Sequence, residues 1–293
     1  TIYGKTVADA GGNAVITLNT LPDQPMDLTL TITSFNKQTH LGIVQVLPAN
    51  GPYIIVTNAT VSDNNNNVAE FGEIITVNVE MNNVGSDPAT GVTVSVTTDD
   101  SYLSVVTPEE VVANIPANAF GNTITGIQLA VANNVPNQHV AQYTVVVTLD
   151  NESIYTSNRS LTIAAPEIAF GFMQVDDAEG NDNGRIDPGE LFTISIPFTN
   201  TGNADAPPVH GTIMVSGGDH LIFPIINDFD FVPQGSSFNL VNQIALSSQI
   251  PAGTTIQITA MCTFGEYLAL NNYNIVVGIL AEDFESGFVN YPW

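Results

Sequence analysis

The stretch Asp177-Ala-Glu-Gly-Asn-Asp-Asn-Gly-Arg-Ile-Asp-Pro-Gly-Glu190 has a weaker copy upstream in this chain. The upstream copy is Asp63-Asn-Asn-Asn-Asn-Val-Ala-Glu-Phe-Gly-Glu73, and their final glutamates are 117 residues apart. A match at a fixed period predicts two copies of one domain laid end to end. The same offset aligns the residues that follow, Asn200 with Asn83 and Gly202 with Gly85.

Apolar and polar residues alternate with a period of two along most of the chain, which is typical of strands with one buried face. The clearest stripes are 75–81 with 192–198, and 143–149 with 256–264. No amphipathic helix of three turns is evident. About seven strands in roughly 115 residues predict an all-β fold of tandem immunoglobulin-like β-sandwich domains.

The repeat also predicts the domain boundaries. Residues 52–165 and 166–280 are the two full copies, opened by Pro52 and Pro166. We expect the second copy to be an immunoglobulin-like sandwich that repeats the first.

Both ends of the chain are expected to be incomplete. Residues 1–51 hold three strand-like stretches (14–18, 28–32 and 43–47), too few for a sandwich. They predict a partial immunoglobulin-like domain whose N-terminal strands are missing. Residues 281–293 predict the start of a truncated adhesin-type domain. Because the sequence starts at Thr1 without a signal-peptide pattern, we expect a fragment of a longer precursor.

Composition excludes two classes of partner. The 293 residues include 4 Lys and Arg against 29 Asp and Glu, a formal charge of −25. Such a field repels nucleic acid phosphates, so we predict no nucleic acid partner. No apolar run approaches the roughly 20 residues that span a bilayer, so we predict no membrane insertion. The charge suits solubility outside the cell and attracts divalent cations. With Cys262 as the single cysteine, no internal disulfide can form.

Residues 177–190 carry oxygen-bearing side chains at the spacing of a calcium loop, with Gly184 at its sharp turn. The first loop position holds Glu179 rather than Asp, so we assign Asp177 as a ligand in its place. The alternative is a polar connection held by Asx-turns. The predicted ligands are Asp177, Asn181, Asn183, the carbonyl of Arg185, Asp187 and Glu190.

The upstream copy predicts a weaker calcium site because it has fewer carboxylates. Asn67 stands where the downstream loop has Gly184, and Asn tolerates the left-handed backbone that the turn requires. Calcium is the one cofactor predicted. The ligands of this second site would be Asp63, Asn64, Asn66, Glu70 and Glu73.

No catalytic residue and no organic cofactor site is predicted. Cys262 falls within an apolar stripe, which favours a buried structural thiol over a nucleophile. Asp99 and Asp100 are interpreted as solvated loop residues. No two histidines have metal-ligand spacing, and we interpret all four as solvated surface residues: His40, His139, His210 and His220.

Three segments near the N-terminus are Ile2-Tyr-Gly-Lys5, Ala14-Val-Ile-Thr-Leu18 and Leu28-Thr-Leu-Thr-Ile-Thr-Ser-Phe-Asn-Lys37. They resemble the immunoglobulin-like domain that follows the catalytic domain in gingipain-type cysteine peptidases. The block from Asn181 to Glu190 resembles a loop of Bacteroidetes surface proteins. The segment Glu282-Asp-Phe-Glu-Ser-Gly287 is similar to the start of cleaved adhesin modules of hemagglutinin regions.

The resemblance implies a secreted or surface-attached bacterial peptidase or adhesin. The catalytic Cys and His of such a peptidase would lie upstream of Thr1, so none is assigned here. We therefore predict a non-catalytic spacer and adhesion region, extracellular or at the cell surface. Its expected partners are other domains of the same precursor and a host or cell-surface protein or glycan. The alternative is a carbohydrate-binding or host-protein-binding sandwich module of a surface protein without any peptidase domain.

Overall fold

A computed structural model describes residues 2–19, 26–46, 50–63, 65–223 and 225–278. Regular structure in these ranges consists of β-strands alone. None of the described residues form a helix long and apolar enough to cross a membrane. Residues 281–293, expected to open an adhesin-type domain, and Asn64, expected to bind calcium, lie outside the described residues.

The N-terminal segment contributes a two-stranded antiparallel sheet of β1 (Met26–Ile32) and β2 (His40–Val46). Residues 14–18 are not a strand, so that prediction is wrong. The Asn19 N–H donates to the Tyr3 carbonyl at 2.7 Å, but residues 14–18 do not continue this contact as a ladder of strand hydrogen bonds. Ile16 and Leu18 of this stretch line a groove together with Leu28 and Leu30 of β1. The partial domain stays a prediction.

The first sandwich packs two four-stranded antiparallel sheets face to face. Their orders are β3-β4-β8-β6 and β10-β9-β5-β7. In chain order, the first, second, fourth and sixth strands form one sheet and the third, fifth, seventh and eighth form the other, which is an immunoglobulin-like arrangement. The strands are β3 (Ile54–Ser62), β4 (Ile74–Asn83), β5 (Ala89–Thr97), β6 (Leu103–Thr107), β7 (Glu109–Ile115), β8 (Ala119–Val131), β9 (His139–Thr148) and β10 (Ile154–Ile163).

The second sandwich has the same strand order, with its first strand in two pieces. Its sheets are β11-β13-β17-β15, in which β12 also pairs with β13, and β16-β14-β18-β19. The predicted fold class, all-β with tandem sandwiches, is confirmed. The strands are β11 (Ile168–Phe170), β12 (Gln174–Asp176), β13 (Leu191–Asn200), β14 (Val209–Ser216), β15 (His220–Phe223), β16 (Asn227–Phe229), β17 (Ser237–Leu246), β18 (Thr255–Phe264) and β19 (Tyr267–Val276).

The interruption between β11 and β12 has a local cause in Pro197 of β13. The Pro197 carbonyl accepts the Gly171 N–H at 2.8 Å, but proline has no N–H to return, so the ladder stops there. The matching position of the first sandwich is a bulge in β3 between Val56 and Asn58. The pairing of the first strand is therefore interrupted at the equivalent position in both sandwiches.

Each sandwich is stabilised by the alternating stripes read from the sequence. The inward residues of β4 and β13 are fully buried, and burying each such side chain contributes about 1.5–3 kcal/mol. The stripes 143–149 and 256–264 are buried in the same way. The fully buried set includes Ile75, Val77, Val79 and Met81 in the first core and Phe192, Ile194, Ile196 and Phe198 in the second.

A buried asparagine closes the end of the second sandwich. Asn200 is 0% exposed, and its Oδ1 accepts the N–H groups of Glu167 at 3.2 Å and Gly202 at 3.1 Å. Its Nδ2 donates to the carbonyls of Ala204 at 2.9 Å and Val232 at 3.0 Å. One amide thus holds the entering chain, the turn after β13 and the loop before β17.

Asn83 makes the equivalent set of bonds in the first sandwich. Its Oδ1 accepts the N–H groups of Tyr53 and Gly85, each at 3.1 Å. Its Nδ2 donates to the carbonyls of Asp87 at 2.9 Å and Ile115 at 3.1 Å. The alignment of Asn200 with Asn83 in the sequence therefore corresponds to a shared structural role.

We expect Asn200→Ala to lower the free energy of unfolding of the second sandwich by about 3 kcal/mol, because it leaves several buried backbone groups without partners. Urea unfolding of the full chain measures this. The exposed amide of Asn239, changed to Ala, is the matched control and should shift stability by less than about 0.5 kcal/mol. A loss no larger than that of the control would contradict the role assigned to Asn200.

Candidate functional site

The residues 177–190 connect β12 to β13, and hydrogen bonds link several of the predicted calcium ligands within this loop. The Nδ2 groups of Asn181 and Asn183 donate to Asp187 Oδ2 at 3.0 and 2.8 Å. Asp177 is buried, and its Oδ2 accepts the Gly184 N–H at 2.9 Å. Gly184 adopts a φ of +76°, so the predicted left-handed turn is confirmed.

Glu190 closes the loop from the start of β13. Its Oε1 accepts the Asn181 N–H at 2.9 Å, and its Oε2 accepts the Asp187 N–H at 2.7 Å. Glu190 is buried among these partners. Glu179 lies apart, because its carboxylate accepts a hydrogen bond from the Gln243 side chain. Asp177 therefore bonds within the loop and Glu179 does not, and the assignment of Asp177 as a ligand stays a prediction.

Arg185 adds a positive charge to the same loop. Its Nη2 lies 3.6 Å from Asp187 Oδ2, and its N–H donates to Asn183 Oδ1 at 2.8 Å. The hydrogen bonds from Asn181 and Asn183, and then the Arg185 charge, hold the pKa of Asp187 below its usual value. A cation entering this loop would compete with the guanidinium for Asp187.

The loop 63–73 connects β3 to β4 and is organised around Asp63. Asp63 Oδ1 accepts the N–H groups of Asn65 at 2.8 Å and Asn67 at 2.9 Å, and these bonds hold the pKa of Asp63 below its usual value. Its Oδ2 is buried without a hydrogen-bond partner. Asn67 has a φ of +60°, which confirms the left-handed turn predicted there.

Glu70 and Glu73 complete the described part of this upstream loop. Asn66 Nδ2 donates to Glu70 Oε1 at 2.7 Å, and Asn65 Nδ2 donates to Glu73 Oε1 at 2.8 Å. Burial raises the pKa of Glu73, and the charges of Asp63 and Glu70 raise it further. Three mutually repelling carboxylates thus lie in one short loop.

Both loops offer the hard oxygens that calcium prefers, and the unpartnered Asp63 Oδ2 is available to a ligand. In the described part of the chain, no three His, Cys, Asp or Glu side chains form a ready metal cage. Amide and backbone carbonyl oxygens would have to supply the remaining ligands. The Asx-turns of the alternative interpretation are present in both loops, for example from Asn183 N–H to Asn181 Oδ1. Calcium binding stays a prediction.

Each loop also holds the end of its own sandwich. In the first, Ala164 N–H donates to the Ala69 carbonyl at 2.9 Å, and Phe71 N–H donates to the Ala164 carbonyl at 3.1 Å. In the second, Gly278 N–H donates to the Ile186 carbonyl at 2.6 Å. The chain therefore leaves each sandwich bonded to a candidate calcium loop.

Tyr267 of the second sandwich packs against the first. Its ring makes an edge contact with Phe71 at a centroid distance of 5.7 Å and stacks on Phe264 at 5.4 Å. Its hydroxyl donates to the Val135 carbonyl at 2.9 Å. Burial, with a smaller contribution from the Glu266 charge, raises the pKa of Tyr267 to about 12. The loop 63–73 is thus in direct contact with the next sandwich.

Amide side chains bridge the same junction. Asn137 Oδ1 accepts the N–H groups of Ala165 at 3.3 Å and Asn203 at 3.2 Å. Gln138 Nε2 donates to Asn203 Oδ1 at 2.9 Å. A Cβ on Gly202 would lie 2.4 Å from the Ala165 carbonyl oxygen, so glycine is required where the linker passes. The linker is held from both sides.

One histidine differs from its sequence interpretation. His139 Nε2 lies 2.9 Å from Asp100 Oδ2, and its ring makes an edge contact with Tyr102 at 4.8 Å. The Asp100 side chain is only 10% exposed, so it is not a solvated loop residue. Sequence reasoning missed this cluster because His139 and Asp100 are 39 residues apart and are brought together by strand pairing.

The remaining residues singled out from the sequence lie apart from one another. His210 pairs with Asp228, and His220 Nδ1 lies 3.1 Å from the Gly218 carbonyl. Cys262 is 0% exposed, which confirms its predicted place in the core. Burial raises the pKa of the Cys262 thiol to about 12.

No family model and no curated protein matches this chain. Among solved structures, the red sea bream transglutaminase is similar over 76% of this chain, with 12% identity and a TM-score of 0.30. The match spans 31% of that transglutaminase chain. An overlap this low carries no information about activity.

Asp100 should make stability depend on acid pH. Burial raises its pKa, but the Tyr102 N–H and His139 bonds outweigh burial and lower the pKa overall. A lowered folded pKa stabilises above the unfolded value of about 3.9, and that contribution is lost as pH falls through the folded value. The wild-type chain should therefore have a higher melting temperature than the Asp100→Asn variant, and this difference should shrink below about pH 4. Asp99→Asn, which changes an exposed carboxylate, is the control. A difference in melting temperature between the wild type and Asp100→Asn that stays unchanged down to about pH 2 would refute the assignment.

Proposed function

We propose that this chain is a non-catalytic spacer on the adhesion side of an extracellular or cell-surface bacterial protein, of the gingipain-like or hemagglutinin type. The observation that supports this most directly is the junction between the sandwiches. A spacer must keep neighbouring domains at a fixed distance and angle, which requires contacts beyond one covalent link.

Three kinds of contact supply this at the junction. Phe71 packs on Tyr267, Tyr267 donates to the Val135 carbonyl, and Asn137 bridges the linker and Asn203. Linkers between independent domains are typically exposed and flexible, whereas Ala165 here is 0% exposed. These contacts favour two sandwiches held in a fixed relative orientation over two domains that move independently.

Calcium fits the same role. The loop 63–73 holds both the outgoing chain at Ala164 and the ring of Tyr267 through Phe71. An ion bound there would offset the repulsion among Asp63, Glu70 and Glu73, which adds to burial in raising the pKa of Glu73, and would restrain the segment that contacts the next sandwich. We propose that calcium stiffens the junction between the two sandwiches in this way.

The buried Cys262 supports the non-catalytic part of the proposal. A thiol acts as a nucleophile in its thiolate form, and the Cys262 pKa of about 12 keeps it protonated at neutral pH. The charge of −25 supports an extracellular location and partners without a polyanionic surface. Other domains of the precursor, and a host or cell-surface protein or glycan, remain the proposed partners.

The two sandwiches should tumble as one body in solution. We expect equal rotational correlation times for them from amide nitrogen relaxation by NMR. Combining Asn137→Ala, Gln138→Ala and Tyr267→Phe should separate the two values, because it removes the side-chain hydrogen bonds that cross the junction between the described residues. The control is Tyr273→Phe, which removes a bond to the Gly171 carbonyl inside the second sandwich. Independent tumbling of the two sandwiches in the wild-type chain would refute the spacer proposal.

Calcium should raise the melting temperature of the full chain relative to a sample treated with chelator. A ligand that binds only the folded state stabilises it by about 2.7 kcal/mol at one hundred times its Kd. Asp63→Asn and Asp187→Asn should each reduce the difference. Asp182→Asn removes an exposed carboxylate of the same downstream loop and should leave it intact. Identical melts with calcium and with chelator would rule out the ion while leaving the spacer proposal standing.

A further inference from the structure

A cavity of about 480 Å³ lies on the solvent side of the sheet β10-β9-β5-β7. Thr97, Thr144 and Asn158 form one row across three neighbouring strands, because Thr97 pairs with Thr144 and Thr144 pairs with Asn158. Gln142 and Asp99 lie at the end of this row and also line the cavity. Thr97, Gln142 and Thr144 point away from the core, since the residues that alternate with them in β5 and β9 are buried, and Asn158 and Asp99 are exposed beside them.

The polar groups of this row are only partly used within the protein. Thr144 Oγ1 donates to Asn158 Oδ1 at 3.0 Å, so the Nδ2 group of Asn158 remains as a donor. Asp100 is committed to His139 and to the Tyr102 N–H, which leaves Asp99 as the exposed carboxylate of the cavity. Donors and acceptors therefore alternate along an open polar surface.

Part of this row recurs in the second sandwich. Gln257 and Thr259 occupy the places of Gln142 and Thr144, and Thr259 Oγ1 donates to Asn272 Oδ1 at 2.6 Å, like the Thr144–Asn158 pair. Met214 pairs with Thr259 where the first sandwich has Thr97. The recurrence of a polar trio at solvent-facing positions is not required by core packing. The second row, interrupted by an apolar side chain, provides a natural control.

The lining decides the chemical class of ligand. A divalent cation would need several free carboxylates, and one is present. An anion would meet Asp99 and the field of the −25 chain. A protein anchor would need an apolar or aromatic pocket, whereas the row consists of hydroxyl, amide and carboxylate groups. Adjacent hydroxyls of a neutral sugar ring both donate and accept hydrogen bonds, which is the capacity that amide, hydroxyl and carboxylate groups offer.

We infer that this cavity, built on Thr97, Asp99, Gln142, Thr144 and Asn158, binds a neutral saccharide unit. The site belongs to the first sandwich, and its existence does not depend on the spacer role. Because the contacts would be hydrogen bonds on an open surface, binding of a single sugar is weak.

Saturation-transfer NMR on the full chain tests this site. The probes are methyl glycosides of glucose, galactose, mannose and N-acetylglucosamine, together with methyl glucuronide as an acidic analogue. At least one neutral glycoside should give transfer, and the glucuronide should give none. Asn158→Ala should weaken binding about tenfold, the effect of losing one ligand hydrogen bond. Thr97→Met, which copies the second sandwich, should abolish it.

Asn272→Ala is the matched control, because it changes the equivalent residue in the row that contains Met214 and should leave binding unchanged. Thermal melts of each variant verify that the first sandwich remains folded. Failure of every neutral glycoside to show transfer would overturn the inference. Transfer that survives both Asn158→Ala and Thr97→Met, or equal transfer to the glucuronide, would overturn it as well.

Discussion

The buried amides of Asn83 and Asn200 hold together the parts of each sandwich that strand pairing leaves separate. Each amide sits where a long central strand ends and satisfies backbone groups from the incoming chain, the following turn and a distant loop. A buried backbone group without a partner costs about 1–3 kcal/mol, so no apolar residue of similar size can replace these asparagines. The direction in which the chain enters each sandwich follows from this one side chain.

The direction in which the chain leaves is determined by the candidate calcium loops. Ala164 and Gly278 end their sandwiches on hydrogen bonds to the loops 63–73 and 177–190. Entry at Glu167 is fixed by Asn200, and exit at Ala164 by the upstream loop, with only two residues between them. The linker is therefore fixed at both ends, and Tyr267 and Asn137 lie where this short distance places them. The stiffness proposed for the chain is a consequence of these two anchors acting together.

The sequence predicts most of the fold for two reasons. The alternation in β4 and β13 shows which faces are buried, and the offset of 117 residues shows that the domain is repeated. It also predicts the positive φ at Gly184 and Asn67, where the residue type limits the backbone. The stretch 14–18 has the apolar composition of a strand but is not one, because composition does not reveal whether a neighbouring strand is available for pairing. The pair His139 and Asp100, and the row through Thr144, depend on register between strands far apart in sequence. A single sequence contains no local signal for register.

The distribution of charge connects the loops to the sheet surfaces. The outward positions of β5, β9 and β10 carry hydroxyl, amide and aliphatic side chains and no Asp or Glu. In a chain with 29 acidic residues, this leaves carboxylates concentrated at strand ends, including the crowded loop of Asp63, Glu70 and Glu73. Burial, and then repulsion from Asp63 and Glu70, raise the pKa of Glu73, and a cation bound there would offset the repulsion. A neutral ligand on this face covers mainly amide and hydroxyl groups, which costs far less than covering a carboxylate, and it meets the exposed carboxylate of Asp99 only at the end of the row. One arrangement of charge thus favours a cation at the junction and a neutral partner on the sheet.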